Sequence, residues 1–316
     1  MDEQEFVAYL KKKFFFSYGL GIGDDASVVR SGKHFQLISS DILIEDVHFR
    51  LRDISLPELA LKSLAVNISD ITAMGGRALY FYLGLGFPDR LSEADLLLFF
   101  KGLRQGCQKW QVELAGGDYS RSEKMTIAIT IIGQSQKPVL RSGARPGDWI
   151  AVTGPSGKSA LGLKLLLAGE KNSPFIRLHK HPQPQCEKGL LLAKYAHAMI
   201  DISDGLLLDL SRLLKASGTG AEIDYEKIPV SRSFKQLCRQ YQYSEKDLVL
   251  AGGEDYQLLF AISPSQEIRL RKTKMAYHII GKITSRRRLL VRENGLHLEI
   301  PRLGFDHFRE NLAGKK

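Results

Sequence analysis

The sequence predicts a two-domain protein of the α/β (α+β) class. Its 316 residues suit two domains of ordinary size. Runs of β-branched and aromatic residues alternate with helical patterns along the chain, as expected for sheets covered by helices. The stretch "RSGARPGDW" (141–149) interrupts this alternation with two glycines and a proline. We therefore predict one domain over residues 1–140 and a second over 141–316.

The first domain begins with a predicted amphipathic helix, followed by Phe14, Phe15 and Phe16, which we expect in the core. "HFQLISSD" (34–41) predicts a strand. "LPELALKSLAVNISDITAMGG" (56–76) predicts a helix with Pro57 in its first turn and two glycines at its end. The remaining predicted elements are a strand over 79–87, a helix opened by a capping box of Ser92 and Asp95, and a strand over 124–133.

The second domain shows a similar alternation. Its predicted elements are a helix from Ser156, a loop rich in His and Pro (178–185), helices over 186–197 and 204–216, a strand over 257–262 and a C-terminal hairpin region.

The composition of the chain limits the classes of function that it can have. No apolar run approaches the roughly 20 residues of a membrane span, and the N-terminus lacks the apolar region of a signal peptide. Cys107, Cys186 and Cys238 are too far apart for a disulfide framework or a zinc pattern, so a reducing cytoplasm is expected. The net charge is +10, but the basic residues are scattered and carry no nucleic-acid-binding signature. We expect neither a membrane nor a nucleic-acid partner.

One stretch, "VTGPSGKSALGL" (152–163), imitates a phosphate-binding P-loop. The motif G-x-x-x-x-G-K-[ST] needs a glycine five residues before Gly157, and Val152 stands there. A β-branched residue cannot take the backbone conformations that glycine reaches. We therefore expect no P-loop and treat Lys158 as incidental, although the helix N-terminus beside it could assist an anion.

The most informative feature is the placement of acidic residues beside Gly or Ser. The motifs that carry them are "GIGDDA" (Asp24, Asp25), "ISSD" (Asp41, at a strand end), "NISD" (Asp70), "AGGD" (Asp118), "IDISDG" (Asp201, Asp204) and "AGGED" (Glu254, Asp255). Turn and cap chemistry explains most of them singly. Asp70 resists that account because Asp is a poor residue within a helix.

If these carboxylates converge, they need cations. Two unit charges about 4 Å apart repel by about 4 kcal/mol at an effective dielectric constant of 20. Several such pairs would offset much of a domain's stability of roughly 5–15 kcal/mol. Oxygen ligands without cysteine favour Mg²⁺ over zinc, and Mg²⁺ usually completes its coordination with phosphate oxygens.

Seven motifs follow one another along the chain: "GIGDDASVV", "SSDILIEDVHF", "LAVNISDITAMGG", "AGGD", "RSGARPGDWIAVTG", "IDISDGLLLDL" and "GGEDYQLLF". In this order, they resemble the motifs of the thiamine-monophosphate kinase family. The resemblance covers the chain from about residue 20 to "GFDHF" (304–308). The family belongs to a superfamily of ATP-dependent enzymes that includes aminoimidazole ribonucleotide synthetase, selenophosphate synthetase and a hydrogenase-maturation protein.

The resemblance implies an N-terminal mixed sheet with helices that pairs with a second subunit into a β-barrel, and a C-terminal α/β sandwich. It implies a homodimer with ATP and magnesium between the domains. It also implies the reaction: ATP gives its γ-phosphoryl group to the phosphate of thiamine monophosphate, which yields thiamine diphosphate and ADP.

The resemblance further assigns roles to residues that match its motifs. The implied magnesium ligands are Asp25, Ser39, Ser40, Asp41, Asp70, Asp118, Asp201 and Asp204. The implied ATP-binding residues are Gly117, Asp118, Arg141 and Ser203, and the implied substrate contacts are His48, Glu254 and Phe305. Ser40 stands where the family often has Thr. His179 and His181 are interpreted as structural or lid residues.

The expected transfer is metal-assisted and direct, with no phosphoenzyme and no catalytic histidine. A phosphate acceptor is already largely ionised at neutral pH, so it needs no strong general base. The alternatives are another ATP-dependent enzyme of the same superfamily and, as a different class, a basic nucleic-acid-binding protein. No Cys precedes Cys107 and the chain ends in "ENLAGKK", which disfavours the selenophosphate and hydrogenase-maturation relatives.

Overall fold

The first half of the molecule is built on a mixed six-stranded sheet. The computed structural model describes residues 3–300 and 302–305. The strand order is β1-β2-β3-β6-β4-β5, and all neighbours are antiparallel except β4 and β5. The strands are β1 (Gly19–Leu20), β2 (Ser27–Ser31), β3 (His34–Ile44), β4 (Arg77–Phe87), β5 (Glu113–Arg121) and β6 (Thr126–Ser135).

Three helices accompany this sheet: α1 (Glu3–Lys13), α2 (Leu56–Ala73) and α3 (Glu93–Trp110). The predicted capping box of α3 is confirmed. The Ser92 hydroxyl accepts from the Asp95 N–H at 3.2 Å, and the Asp95 carboxylate accepts from the Ser92 N–H at 2.8 Å. Helices α2 and α3 approach closely at Gly102, because a Cβ there would lie 2.3 Å from the carbonyl oxygen of Pro57.

The second half is built on a seven-stranded sheet. The strand order is β13-β12-β9-β11-β7-β10-β8, and only β12 and β9 run parallel among the described pairs. The strands are β7 (Trp149–Val152), β8 (Ala198–Asp201), β9 (Gly220–Asp224), β10 (Leu258–Ile262), β11 (His278–Thr284), β12 (Leu289–Glu293) and β13 (Leu296–His297).

The helices of the second half follow the sequence patterns in part. They are α4 (Lys158–Leu167), α5 (Pro174–Lys180), α6 (Cys186–Leu192), α7 (Leu206–Ser217), α8 (Arg232–Gln240), α9 (Glu245–Ala251) and α10 (Pro264–Arg271), with a 3₁₀ turn at Tyr225–Lys227. Of the described helices, none combines the length and apolar character that crossing a bilayer would take.

The predicted helices and strands of both halves are present, with four corrections, one of which is that the helix predicted over 186–197 ends at Leu192. Asp41 lies inside β3 rather than at its end, and Asp118 lies inside β5 rather than in a loop. The predicted loop 178–185 begins only at His181, three residues later than the prediction placed it, because α5 continues through Lys180. Helices α8 to α10 were not predicted.

The prediction that the three phenylalanines belong to the core is wrong. Phe14, Phe15 and Phe16 are 65%, 92% and 38% exposed. They follow the end of α1 in a segment without regular structure, and they line the mouth of the cleft described below. Their hydrophobic character alone therefore led to a wrong prediction of burial.

Helix α2 lies between the two halves. It packs on β3, β4 and β6 of the first sheet and also contacts β8, α5 and α6 of the second half. Most of its side chains are buried, including Lys62, Ser63, Asn67 and Ser69. A polar residue on α2 can therefore contact a partner from the other half. This position between the halves accounts for the presence of an aspartate, Asp70, within the helix.

Candidate active site

A large cleft separates the two halves. Its volume is about 1920 Å³. The first half lines it with the turn before β2, with β3 and with α2. The second half lines it with the start of α7 and with residues of the segment 252–256. Nearly all the acidic motifs identified in the sequence open into this space.

Three carboxylates meet in the cleft. Asp25, Asp70 and Asp201 each offer an oxygen atom, and these atoms lie within 4.8 Å of one another. They come from the glycine turn, from α2 and from the end of β8. The Ser39 hydroxyl donates to Asp70 at 2.5 Å, and the Ser69 hydroxyl donates to Asp201 at 2.5 Å. Each serine fixes the orientation of one carboxylate.

Burial and mutual repulsion perturb the titration of this cluster. Burial first, and then the nearby carboxylates, raise the pKa of Asp70 and the pKa of Asp201 well above their usual range. The same two causes raise the pKa of Asp41 to about 6, with Asp204 and Asp25 as the repelling charges. The carboxylates therefore repel one another when they are ionised, and a bound cation would relieve this repulsion.

The donor atoms fit a hard divalent cation. Asp25 is 8% exposed, and its Oδ2 atom is buried without a hydrogen-bond partner among the described residues. A buried carboxylate oxygen normally has a partner. Together with the oxygens of Asp70, Asp201 and Ser39, it forms an oxygen-only donor set of the kind that Mg²⁺ prefers.

Two arginines face the acidic cluster. Arg141 donates to Asp25 Oδ1 from Nε at 3.2 Å and from Nη2 at 2.5 Å. Arg212 donates to Asp204 at 2.5 Å and to Asp209 at 2.7 Å. Both arginines line the cleft, so their positive charges partly offset those of the carboxylates there.

The helix N-termini beside the cleft hold carboxylates of the chain itself. Asp255 accepts hydrogen bonds from the N–H groups of Gly157 and Ser159 at the start of α4. Asp209 accepts from the N–H groups of the three residues 203–205 before α7, at 3.0 to 3.2 Å. The sequence "GPSGKS" therefore binds a carboxylate, and Lys158 is not among the described residues that line the cleft.

Comparison with known proteins agrees with this architecture. Residues 23–135 match the model of "AIR synthase related protein, N-terminal domain", and residues 145–293 match "AIR synthase related protein, C-terminal domain". The thiamine-monophosphate kinase of Escherichia coli (strain K12) is 36% identical over 302 residues, which cover 92% of this chain and 92% of that protein. The chain belongs to the thiamine-monophosphate kinase family.

Two further relatives of this kinase family extend the match. The Aquifex aeolicus (strain VF5) thiamine-monophosphate kinase is 38% identical over 244 residues, covering 76% of this chain and 79% of that protein. The solved structure "AaThiL complexed with AMPPCP and TMP" superimposes with a TM-score of 0.89 at 32% identity, covering 97% of each chain. The family resemblance predicted from the motifs is confirmed.

The fold separates Ser40 from the other predicted ligands of the kinase family. Ser39 and Asp41 share one face of β3, and Ser40 points to the opposite face because side chains alternate along a strand. Its hydroxyl lies 3.0 Å from that of Thr130 on β6. The hydroxyl of Ser40 therefore points away from the Asp41 carboxylate, although Ser40 is among the residues that line the cleft.

Gly117 and Asp118 also lie apart from the cluster. They are exposed on β5, which is three strands from β3 in the sheet, or roughly 14 Å at the usual strand spacing. Within the described part of one chain, Asp118 does not line the cleft. The sequence motif "AGGD" indicated a loop, but the parallel pairing with β4 makes it a strand.

The remaining predicted nucleotide and substrate contacts line the cleft. They are Arg141, Ser203, His48, Glu254 and Phe305. His48 accepts the N–H of Ile44 at Nδ1 at 3.0 Å, which places its proton on Nε2 when the ring is neutral. The backbone N–H of Phe305 donates to the Asp204 carbonyl at 2.9 Å. The last residues of the family motif "GFDHF", 306–308, lie outside the described residues.

Several residues of the site were missed from sequence. Lys62 and Arg212 line the cleft, and Asp209 braces the start of α7 beside it. His179, interpreted as a structural or lid residue, also lines the cleft, and Asp255, named only as part of an acidic motif, braces the start of α4. Asp209 had a usable signal, because an acid in the first turn of a helix often accepts from free N–H groups. Lys62 had none, since a lysine within a helix ordinarily extends to solvent.

Proposed function

We propose that the protein transfers the γ-phosphoryl group of ATP to the phosphate of thiamine monophosphate, giving thiamine diphosphate and ADP. Membership of the family supports this, as does the relative bound to AMPPCP and TMP. The observation that carries the proposal is the cluster of Asp25, Asp70 and Asp201 inside a cleft that also presents two arginines.

We propose further that the cluster holds Mg²⁺. Asp25, Asp70 and Asp201 would be the central ligands, with Asp41, Asp204 and the hydroxyl of Ser39 beside them. When bound, Mg²⁺ supplies charge neutralisation for the phosphate oxygens of ATP and of the acceptor. The unpartnered Oδ2 atom of Asp25 and the all-oxygen donor set support this assignment.

The residues of the chain orient two anionic reactants. Arg141 and Arg212 bring positive charge to the nucleotide phosphates, with Ser203 beside them at the start of α7. His48, Glu254 and Phe305 face the organic part of the acceptor. In this proposal the acceptor phosphate lies next to the γ-phosphate, and positioning would supply most of the rate enhancement.

The proposed chemistry is a direct in-line displacement. An oxygen of the acceptor phosphate forms a bond to the γ-phosphorus while the bond from that phosphorus to the β,γ-bridging oxygen breaks, and ADP leaves with that oxygen. The acceptor is already ionised near neutral pH, so the chain needs no side chain to remove a proton. Neither a phosphoenzyme nor a catalytic histidine is part of this proposal.

A homodimer remains our proposal for the assembly, with domains at 1–140 and 141–316. Every residue of β5 is exposed, and the large apolar side chains of Ile42, Tyr82, Leu114 and Tyr119 are exposed on the same sheet. Pairing of two such sheets would cover them and give Gly117 and Asp118 a partner surface. We also propose a cytoplasmic location, which the free thiols of the three cysteines support.

The decisive test is product formation. The protein is incubated with ATP, Mg²⁺ and thiamine monophosphate, and thiamine diphosphate is measured by chromatography. Asp70→Asn is expected to lower kcat/KM by roughly a hundredfold or more, as for loss of other charge-stabilising groups. Asp224→Asn, on β9 and outside the cleft, is the matched control. Absence of product from the unmodified protein overturns the function, and an active Asp70→Asn overturns the metal assignment.

A further inference from the structure

A buried lysine joins the two halves inside the cleft. The side chain of Lys62 on α2 is 2% exposed. Its ammonium lies 2.9 Å from Oε1 and 3.1 Å from Oε2 of Glu254, which belongs to the second half. An ammonium this deeply buried is tolerated only when it is paired. Lys62 therefore depends on Glu254, and although it lines the cleft, its small exposed fraction limits direct contact with a ligand.

Glu254 is held from other directions as well. The Nδ1 atom of His179, on α5, lies 3.1 Å from Oε2 of Glu254 and 3.0 Å from the hydroxyl of Ser159. The backbone of Glu254 is left-handed, with φ of 63°, and its N–H donates to the Ser203 carbonyl at 2.6 Å. A non-glycine residue in this conformation is maintained only where its surroundings fix it.

These contacts leave Glu254 as an ionised hydrogen-bond acceptor. Burial alone would raise its pKa, but the Lys62 ammonium and the His179 ring more than offset burial and hold the pKa well below its usual range. A carboxylate has about four acceptor sites, and the contacts from Lys62 and His179 occupy about three of them. The side chain is 30% exposed towards the cleft, so one acceptor site remains for a ligand.

We propose that Lys62 and His179 are positioning residues that orient Glu254 towards the organic half of the acceptor substrate. This inference rests on the proposed function. The aminopyrimidine of thiamine monophosphate offers N–H donors and its thiazolium carries a positive charge, and both suit a fixed carboxylate. Lys62 and His179 then govern the binding of the acceptor, while ATP binding and the transfer step depend on the acidic cluster.

The chain offers a matched control on the same two helices. Glu58 lies one turn before Lys62 on α2, and its Oε1 atom lies 3.0 Å from Nε2 of His181, which follows α5. This pair also joins the two halves, but neither residue is among the described lining of the cleft. His181→Gln therefore weakens a contact between α2 and α5 without disturbing Glu254.

The test is a double-mutant cycle on the full chain. Lys62→Met and His179→Gln are each expected to raise KM for thiamine monophosphate roughly ten- to a hundredfold, as when a charged hydrogen-bond partner is lost. The values of kcat and of KM for ATP stay close to those of the unmodified protein. Lys62→Met combined with Glu254→Gln should have the same KM as Glu254→Gln alone, because Lys62 acts only through Glu254.

Several outcomes would overturn the inference. One is an unchanged KM for thiamine monophosphate in Lys62→Met, and another is an equal rise in its KM for ATP. A third is a rise of the same size in the KM for thiamine monophosphate of His181→Gln. The fourth is that the effects of Lys62→Met and Glu254→Gln on this KM multiply in the double variant. If Lys62→Met does not fold, as judged by thermal unfolding, His179→Gln decides the question alone. If the unmodified protein makes no thiamine diphosphate, the proposed function fails first, and that failure is visible before any variant is compared.

Discussion

The Asp25 carboxylate and the Arg141 guanidinium form an ion pair across the two halves of the molecule. The Nε and Nη2 atoms of Arg141 lie 3.2 Å and 2.5 Å from Oδ1 of Asp25. The backbone N–H of Arg141 also donates to the Asp24 carboxylate, at 3.1 and 3.2 Å. Both contacts bind the glycine turn before β2 to the segment that leads into the second sheet. Burial and then repulsion by Asp25 raise the pKa of Asp24 to about 7.

Removal of this guanidinium should be costly. Arg141→Met leaves the 8%-exposed Asp25 without its charge partner, which is expected to lower the free energy of unfolding by roughly 3–5 kcal/mol. Urea unfolding at neutral pH measures the change. Arg271→Met is the control, because the Arg271 side chain is 72% exposed and its pair with Glu267 should contribute about 1 kcal/mol or less. Equal losses in the two variants would contradict the expectation.

Gly102→Ala should destabilise the protein although alanine favours helices. The new methyl group would lie 2.3 Å from the Pro57 carbonyl oxygen, so α2 and α3 would have to separate. We expect a loss of roughly 1–3 kcal/mol by thermal unfolding, as for other overpacked sites. Gly106→Ala is the control on the same helix, since its nearest neighbour is the movable side-chain end of Leu64 at 2.9 Å. A stabilised Gly102→Ala would show that the two helices separate without cost.

Asp255 should make stability depend on pH. Burial raises its pKa to about 7, although it accepts two backbone N–H groups. The folded protein then binds this proton more tightly than the unfolded chain does, so the contribution of Asp255 to stability falls as pH rises from about 4 to about 7. Asp255→Asn should flatten the unfolding free energy over this window, by an amount on the order of a few kcal/mol. Parallel curves for the two proteins would argue against the raised pKa.

The exposed strand β5 gives a test of assembly. Leu114→Asp places a charge on a side chain that is 43% exposed on this strand, and it should convert the proposed dimer to a monomer in light scattering. Leu97→Asp on α3, where the leucine is 63% exposed, is the control and should leave the assembly unchanged. A monomeric unmodified protein, or a Leu114→Asp variant that stays dimeric, would contradict the proposed interface.

Local chemistry made much of the fold predictable. The capping residue Ser92 and the first-turn Pro57 each mark a helix start within the sequence itself. The acids Asp25, Asp70 and Asp201 could be recognised as a set because Asp is unusual mid-helix and glycine or serine accompanies the others. Their convergence within 4.8 Å follows the prediction that oxygen ligands gather at one place.

Contacts between residues far apart in the sequence, and the face of a strand on which a residue lies relative to the site, could not be predicted in the same way. Lys62 and Glu254 are 192 residues apart, and no local pattern links them. Strand alternation places Ser40 on the opposite face from Asp41, but the local sequence does not show which face of the strand turns towards the acidic cluster. Asp118 looked like a loop residue because two glycines precede it, but pairing with β4 outweighed that local preference.

The carboxylates that occupy the starts of α4 and α7 have a consequence for inhibitor design. The amides of Gly157 and Ser159, and those of residues 203–205, already donate to Asp255 and Asp209. A nucleotide mimic that relies on hydrogen bonds from these amides would first have to displace the side chain of Asp255 or Asp209. On the proposed function, compounds that chelate a divalent ion and carry a cationic heterocycle towards Glu254 are the better starting point against this site.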